Sequence, residues 1–215
     1  PLSFGSILLG LSGFMVAAFV SRAPDPIRML PIHYISLGIV NPLAFAAMRM
    51  QAVVLSFPPK DRHASQTFVF SIIAGLTLAG ITLIGQIPPV ARYYFGKLQN
   101  LPAEDIKLAM RVIMIVSLKP LISALRGHAE GLAAWRRRPN ATLAGQAVNL
   151  ATLVCSLFVF LNLGVPGYMM GALADICAGL ATFLTIRMGV AWSEFENRTI
   201  EIGRASCRER VFGYV

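Results

Sequence analysis

The chain has 215 residues, of which 56% are hydrophobic and 13% charged, with a mean hydropathy of +0.66 and a formal net charge of +9. A soluble domain carries about a quarter charged residues, so this composition excludes an ordinary water-soluble globular protein. It points to an all-α integral membrane protein, whose natural unit is the membrane span.

A spanning helix needs roughly 20 mostly apolar residues, and six such stretches are predicted. The first, Pro1 to Ser21, has no charge. The second, about Ile27 to Phe57, is interrupted by Pro31, Asn41-Pro42 and Arg49. The third, Thr67 to Val90, is uncharged and ends at Pro88-Pro89. The fourth, about Ile106 to Leu132, is the most polar, with Lys119-Pro120 and the run from Arg126 to Gly131. A long uncharged stretch is divided by Leu163-Gly164-Val165-Pro166-Gly167 into a fifth span, about Ala141 to Leu161, and a sixth, about Gly167 to Val190. Pro42 and Pro120 each remove an amide donor inside a span, which predicts kinks.

The spans occupy residues 1–190, followed by a short cytoplasmic end at 191–200. Glu201 to Val211 reads EIGRASCRERV, which resembles the in-frame translation of a sequencing adapter. Residues 201–215 are therefore expected to be an artefact, and the start, already inside an apolar helix, implies that a preceding segment is missing. Removing the three Arg and two Glu of Glu201 to Val211 leaves a net charge of +8, so the basic excess belongs to the membrane part.

Lys and Arg between spans mark the cytoplasmic side. Arg136-Arg137-Arg138 lies on the same side as Lys60 and Arg62. Arg22, Arg28, Arg92, Lys97 and Lys107 lie opposite, dispersed and accompanied by Asp25, Glu104 and Asp105. The density of the triple arginine predicts a cytoplasmic C-terminus in the plasma membrane, in a bacterium the inner membrane. The triple arginine is read as this topology signal or as a contact for anionic lipid, so no nucleic-acid partner is expected.

Cys155 and Cys177 fall inside spans, with no CxxC and no His cluster, so no metal is expected. Phosphate-binding loops of the nucleotide-binding folds are absent. Neither a catalytic constellation nor a cofactor is expected, and the chain does not read as an enzyme.

Ionisable residues inside a bilayer are costly and mark function by default. In span four, Arg111, Lys119, Ser123, Arg126 and Glu130 recur at intervals of eight, four, three and four, which places them on one helix face. Span two offers Asn41 and Arg49 eight apart. Span five aligns Thr142, Gln146, Asn149 and Ser156, and span six aligns Tyr168, Asp175 and Thr182. Turning these stripes toward one hydrated cavity keeps them out of lipid. Deep cations Arg49, Lys119 and Arg126 outnumber deep anions Glu130 and Asp175, so the cavity should attract an anion, with Asn41, Gln146 and Asn149 as further candidate contacts. Glu130 and Asp175 are candidate counter-charges, and His128 a candidate proton carrier. The alternative is that Arg126 pairs with Glu130, and Lys119 with Asp175, simply to hold the bundle together. Gly127 and Gly131 have the spacing that permits close helix contact.

Phe19-Val20-Ser21-Arg22, then Arg126-x-His128-x-x-Gly131 with its following basic cluster and polar-striped helix, then Leu163-Gly164-Val165-x-Gly167 with Gly171, resemble the C-terminal half of progressive ankylosis proteins in order and spacing. These belong to the multidrug/oligosaccharidyl-lipid/polysaccharide exporter superfamily, with the multidrug and toxin extrusion (MATE) transporters and lipid-linked sugar flippases. The resemblance covers roughly Pro1 to Val190. It implies one six-helix bundle of a two-bundle, MATE-like transporter working by alternating access, the first bundle being the missing half. It also implies export of small polyanions such as pyrophosphate, nucleotide or citrate. The chain departs from the animal pattern at Gly127, Ala129 and Glu130. A lipid-linked saccharide flippase, a multidrug exporter and a non-transporting membrane scaffold are the alternatives.

Overall fold

The computed structural model describes residues 2–59 and 65–212, with side chains described for residues 11–59 and 65–192. Among them the chain is helical, with no strand. The helices are α1 (Leu2–Val20), α2 (Pro26–Met48), α3 (Met50–Ser56), α4 (Ser65–Leu83), α5 (Pro88–Ala91), α6 (Ala103–Val116), α7 (Lys119–Trp135), α8 (Pro139–Asn162) and α9 (Gly167–Phe212). A 3₁₀ turn at Ile84–Gln86 and a π-helical segment at Arg92–Leu98 flank α5.

Among the described residues, five stretches are long and apolar enough to cross a membrane: Pro26–Ser56, Ser65–Gln86, Ala103–Trp135, Pro139–Asn162 and Gly167–Trp192. They match the second to sixth predicted spans. The first predicted span corresponds to α1, a continuous helix over Leu2–Val20, whose side chains before Leu11 lie outside the described residues. So do Lys60 and Arg62.

The helix interruptions have local causes. Helix α2 runs unbroken through Pro31 and Pro42 and stops instead at Arg49, where a turn at φ −64°, ψ −6° separates it from α3. The fourth span divides at Ser117-Leu118, and Pro120 takes a place in the first turn of α7, where its missing amide donor costs nothing. The third span is shorter than predicted. Ile87 precedes Pro88 and is extended (φ −68°, ψ 121°), as a following proline demands, so Pro88 to Val90 belong to α5 rather than to the span.

Burial is inverted relative to a soluble bundle. The most polar span supplies the centre: every residue of α7 from Arg126 to Ala133 is buried. The outer α4 buries only Ser71, Gly75, Ala79 and Thr82, and exposes Val69, Ile73 and Leu76 on its other side. Small residues face protein and large apolar ones face outward, the pattern expected when lipid is the solvent. Helix α9 contributes to all three apolar clusters. Tyr168 and Ala172 join α2, α6 and Phe95. Met170, Ala174 and Ala178 join α1 and α8. Ile186 and Val190 join the end of α7.

Gly127 and Gly131 set the closest approach. A Cβ at Gly127 would lie 2.6 Å from the Met48 carbonyl oxygen, and one at Gly131 would lie 2.9 Å from the Gln51 carbonyl oxygen. These carbonyls flank the Arg49 break, so α7 receives α2 and α3 backbone directly in its glycine face.

Gly127→Ala should therefore force backbone apart and lower stability by about 1–3 kcal/mol, the usual range for overpacking. Gly80→Ala, where a Cβ meets nothing within 4 Å, should be neutral or slightly stabilising. Thermal unfolding of both variants in detergent checks the contrast.

Candidate functional site: a polar cavity between five helices

A cavity of about 370 Å³ opens among α1, α2, α7, α8 and α9, lined by Ser12, Asn41, Lys119, Ser123, Arg126, Asn149 and Asp175 with Ala44, Phe45, Met48, Ile122, Ile176 and Gly179. Of the polar stripes, Asn41 of span two, Lys119, Ser123 and Arg126 of span four, Asn149 of span five and Asp175 of span six meet here. Division of the fourth span after Val116 makes Lys119 the first residue of α7. Arg126 lies two turns further along the same face.

Two ion pairs organise the polar groups. Lys119 Nζ lies 2.6 Å from Asp175 Oδ2 and donates to Asn41 Oδ1 at 3.0 Å, tying α7 to α9 and α2. Its side chain is 23% exposed and that of Asp175 39%, so this pair borders the open space. The second pair is deeper. Arg126 Nε donates to Glu130 Oε1 at 2.9 Å and Nη2 donates to Gln146 Oε1 at 3.0 Å, while Gln146 Nε2 donates to the same Glu130 oxygen at 3.3 Å. Their side chains are 10% and 8% exposed. Asn149 donates to Thr182 Oγ1 at 2.9 Å, joining α8 to α9. Both ion pairs that the spacing allows are formed.

Three sequence expectations change. Arg49 is not a deep cation. It is exposed at the α2–α3 turn, because Ala47, Val54 and the glycine-facing carbonyls take the buried side, and it borders a neighbouring hollow with Gln51, Ala52 and Leu55. Arg111 is likewise exposed, since the break after Val116 separates its helix from α7. Of the cations that the spacing placed deep, Lys119 and Arg126 remain, and they are matched by Asp175 and Glu130. What survives is a difference in position. Lys119, Arg126 and Asp175 line the cavity, whereas Glu130 sits behind Arg126.

His128 is fully buried but faces α4 rather than the cavity. Its Nε2 is 3.1 Å from Thr67 Oγ1, and its ring meets Phe68 edge-on at 5.4 Å, with Arg187 on the same phenyl ring at 5.3 Å. Two residues from Arg126, it is turned about 200° around a helix.

The sequence reading passed over Arg187 and His33. His33 is buried on α2, with Nδ1 3.3 Å from the Tyr168 carbonyl and Nε2 against the space that a Cβ at Gly171 would fill. An ionisable side chain within a span was the available signal for both. On the side opposite the triple arginine, Arg28 bridges the starts of α2 and α6, at 2.5 Å from Asp105 and 3.4 Å from Glu104.

Among the described residues, no three His, Cys, Asp or Glu side chains come together as a metal-binding set. No family model, curated protein or solved structure matches the chain.

The Arg126 network makes a separable prediction. Arg126→Gln leaves the Glu130 carboxylate buried without its cation, a change that typically costs about 3–5 kcal/mol. The double variant Arg126→Gln/Glu130→Gln should regain most of that loss, as measured by detergent unfolding midpoints.

Proposed function

We propose that this chain is a helical bundle of a multi-pass membrane transporter that binds small anionic solutes in the cavity and exports them by alternating access. The observation that carries the reading is the cavity lining, where two cationic head groups, Lys119 and Arg126, meet one carboxylate, Asp175. A polyanion entering there finds charge-assisted donors in a partly desolvated site, where such bonds are strongest. Of the two cations, Lys119 is the more accessible and makes the primary contact. Arg126, fixed by Glu130 and Gln146, presents a positive wall, while Asn41 and Asn149 add polar contacts.

The resemblance to the second half of progressive ankylosis and MATE-like exporters supports the same reading, with pyrophosphate, nucleotide or citrate as the solute class and a second bundle completing the cavity. The triple arginine between α7 and α8 supports a cytoplasmic C-terminus in a plasma membrane, bacterial if the source is a bacterium. A membrane scaffold is the competing reading, favoured by the complete pairing of Arg126 with Glu130.

Lys119→Gln tests the proposal. Losing one charge-assisted contact worth about 1.5–3 kcal/mol should weaken pyrophosphate binding and slow its efflux from proteoliposomes roughly 10- to 100-fold. Folded yield should stay close to the parent's, because Asp175 retains access to water. A two-bundle parent protein that moves pyrophosphate no faster than empty liposomes favours the scaffold. Movement of a lipid-linked pyrophosphate saccharide without movement of the free anion favours the flippase.

A further inference from the structure

The described polar network holds Lys119 and Arg126 against Asp175 and Glu130, so it is balanced before any solute enters. Adding a negative charge to a balanced, partly desolvated site is unfavourable unless a positive charge comes with it. Arg126 and Glu130 offer no compensation: the Glu130 oxygen already accepts from Arg126 and Gln146, and the pair is almost fully enclosed. Asp175 is different. It holds Lys119 through one oxygen, more than a third of its side chain is exposed, and it lines the cavity.

We infer that an anionic solute replaces Asp175 at the Lys119 ammonium, and that the displaced Asp175 carboxylate takes one proton from water, so that anion and proton are bound together. This inference rests on the anion-binding reading above. The step conserves charge. One contact between the ammonium and Asp175 opens, one between the ammonium and the anion forms, and one proton moves from solvent to an Asp175 oxygen, leaving a neutral carboxyl beside a paired anion. Lys119 keeps its bond to Asn41, so it stays aimed at the solute while α9 is released from it.

The groups facing Asp175 favour this residue as the proton's site. From α7 come Lys119, which the anion engages, and Arg126, already committed to Glu130. Helix α2 brings Asn41 and, behind the cavity wall, the enclosed His33. Asn149 of α8 and Ser12 of α1 carry no charge, and α6 sends no side chain into the lining. Asp175 is thus the only carboxylate in the cavity lining among the described residues. The coupling places a proton on the same helix that the anion frees, so the two events bias α9 in the same direction.

The test uses the chain in lipid nanodiscs and methanedisulfonate, a strong-acid dianion that does not itself titrate near neutral pH. Calorimetric titration in two buffers of different ionisation enthalpy counts the protons taken up with it. The expected result is uptake approaching one proton per anion, with affinity rising up to tenfold for each unit decrease in pH, the slope that linkage requires for one proton. Asp175→Asn should bind at least tenfold more tightly at neutral pH, with no proton uptake and a flat pH dependence. Asp175→Glu should restore the uptake. If Asp175→Asn fails to fold, the wild-type proton count decides by itself. Binding without proton uptake, or uptake that persists in Asp175→Asn, overturns the inference and leaves anion binding intact. Absence of binding to wild type and Asp175→Asn alike overturns both readings.

Discussion

A charge inside a bilayer must be paired, hydrated or absent, and the arrangement around α7 follows from that constraint. Four ionisable side chains at the helix core would be prohibitive one by one. They become tolerable because Arg126 closes on Glu130 within the helix, and Lys119 closes on Asp175 across to α9. The most polar segment is for this reason the most enclosed, and the plainest segment, α4, is left to face lipid with its large apolar side chains. Three helices meet at the Lys119 ammonium, which holds Asp175 of α9 and Asn41 of α2.

The two pairs differ in a way that matters for function. Arg126 and Glu130 share their hydrogen bonds with Gln146 and have almost no exposure, so they resemble a fixed part of the bundle. Lys119 and Asp175 are partly wet. An interaction that water can compete for is one that a solute can also compete for, whereas the enclosed pair has no replacement at hand. The division between a rigid charged wall and an exchangeable pair gives the cavity both a stable shape and a place to respond.

Much of this was legible in the chain before folding. Helical spacing placed Lys119, Arg126 and Glu130 on one face, and the stripes containing Gln146, Asn149 and Asp175 on their own faces. The glycines at 127 and 131 announced a close contact. Other features were hidden because they depend on what the helix does elsewhere. Eight residues separate Asn41 from Arg49 on an ideal helix, yet the turn at Arg49 and the glycine-driven approach of α7 rotate that arginine to the surface. Arg111 lost its alignment at the break after Val116. His128 shares a helix with Arg126 and was grouped with it by proximity in sequence, although two residues place it on nearly the opposite side. Periodicity reports faces reliably only within one uninterrupted helix.

The glycine contact also restricts the ways in which these helices can move past one another. The carbonyls of Met48 and Gln51 rest in the notches at Gly127 and Gly131, with less room than one methyl group would need. Sliding α2 and α3 along α7 by a single residue would carry those oxygens off the glycines and onto side chains. The next notch is one helical turn away, about 5.4 Å. The crossing therefore works as a detent, which holds α2 and α3 against axial slip along α7.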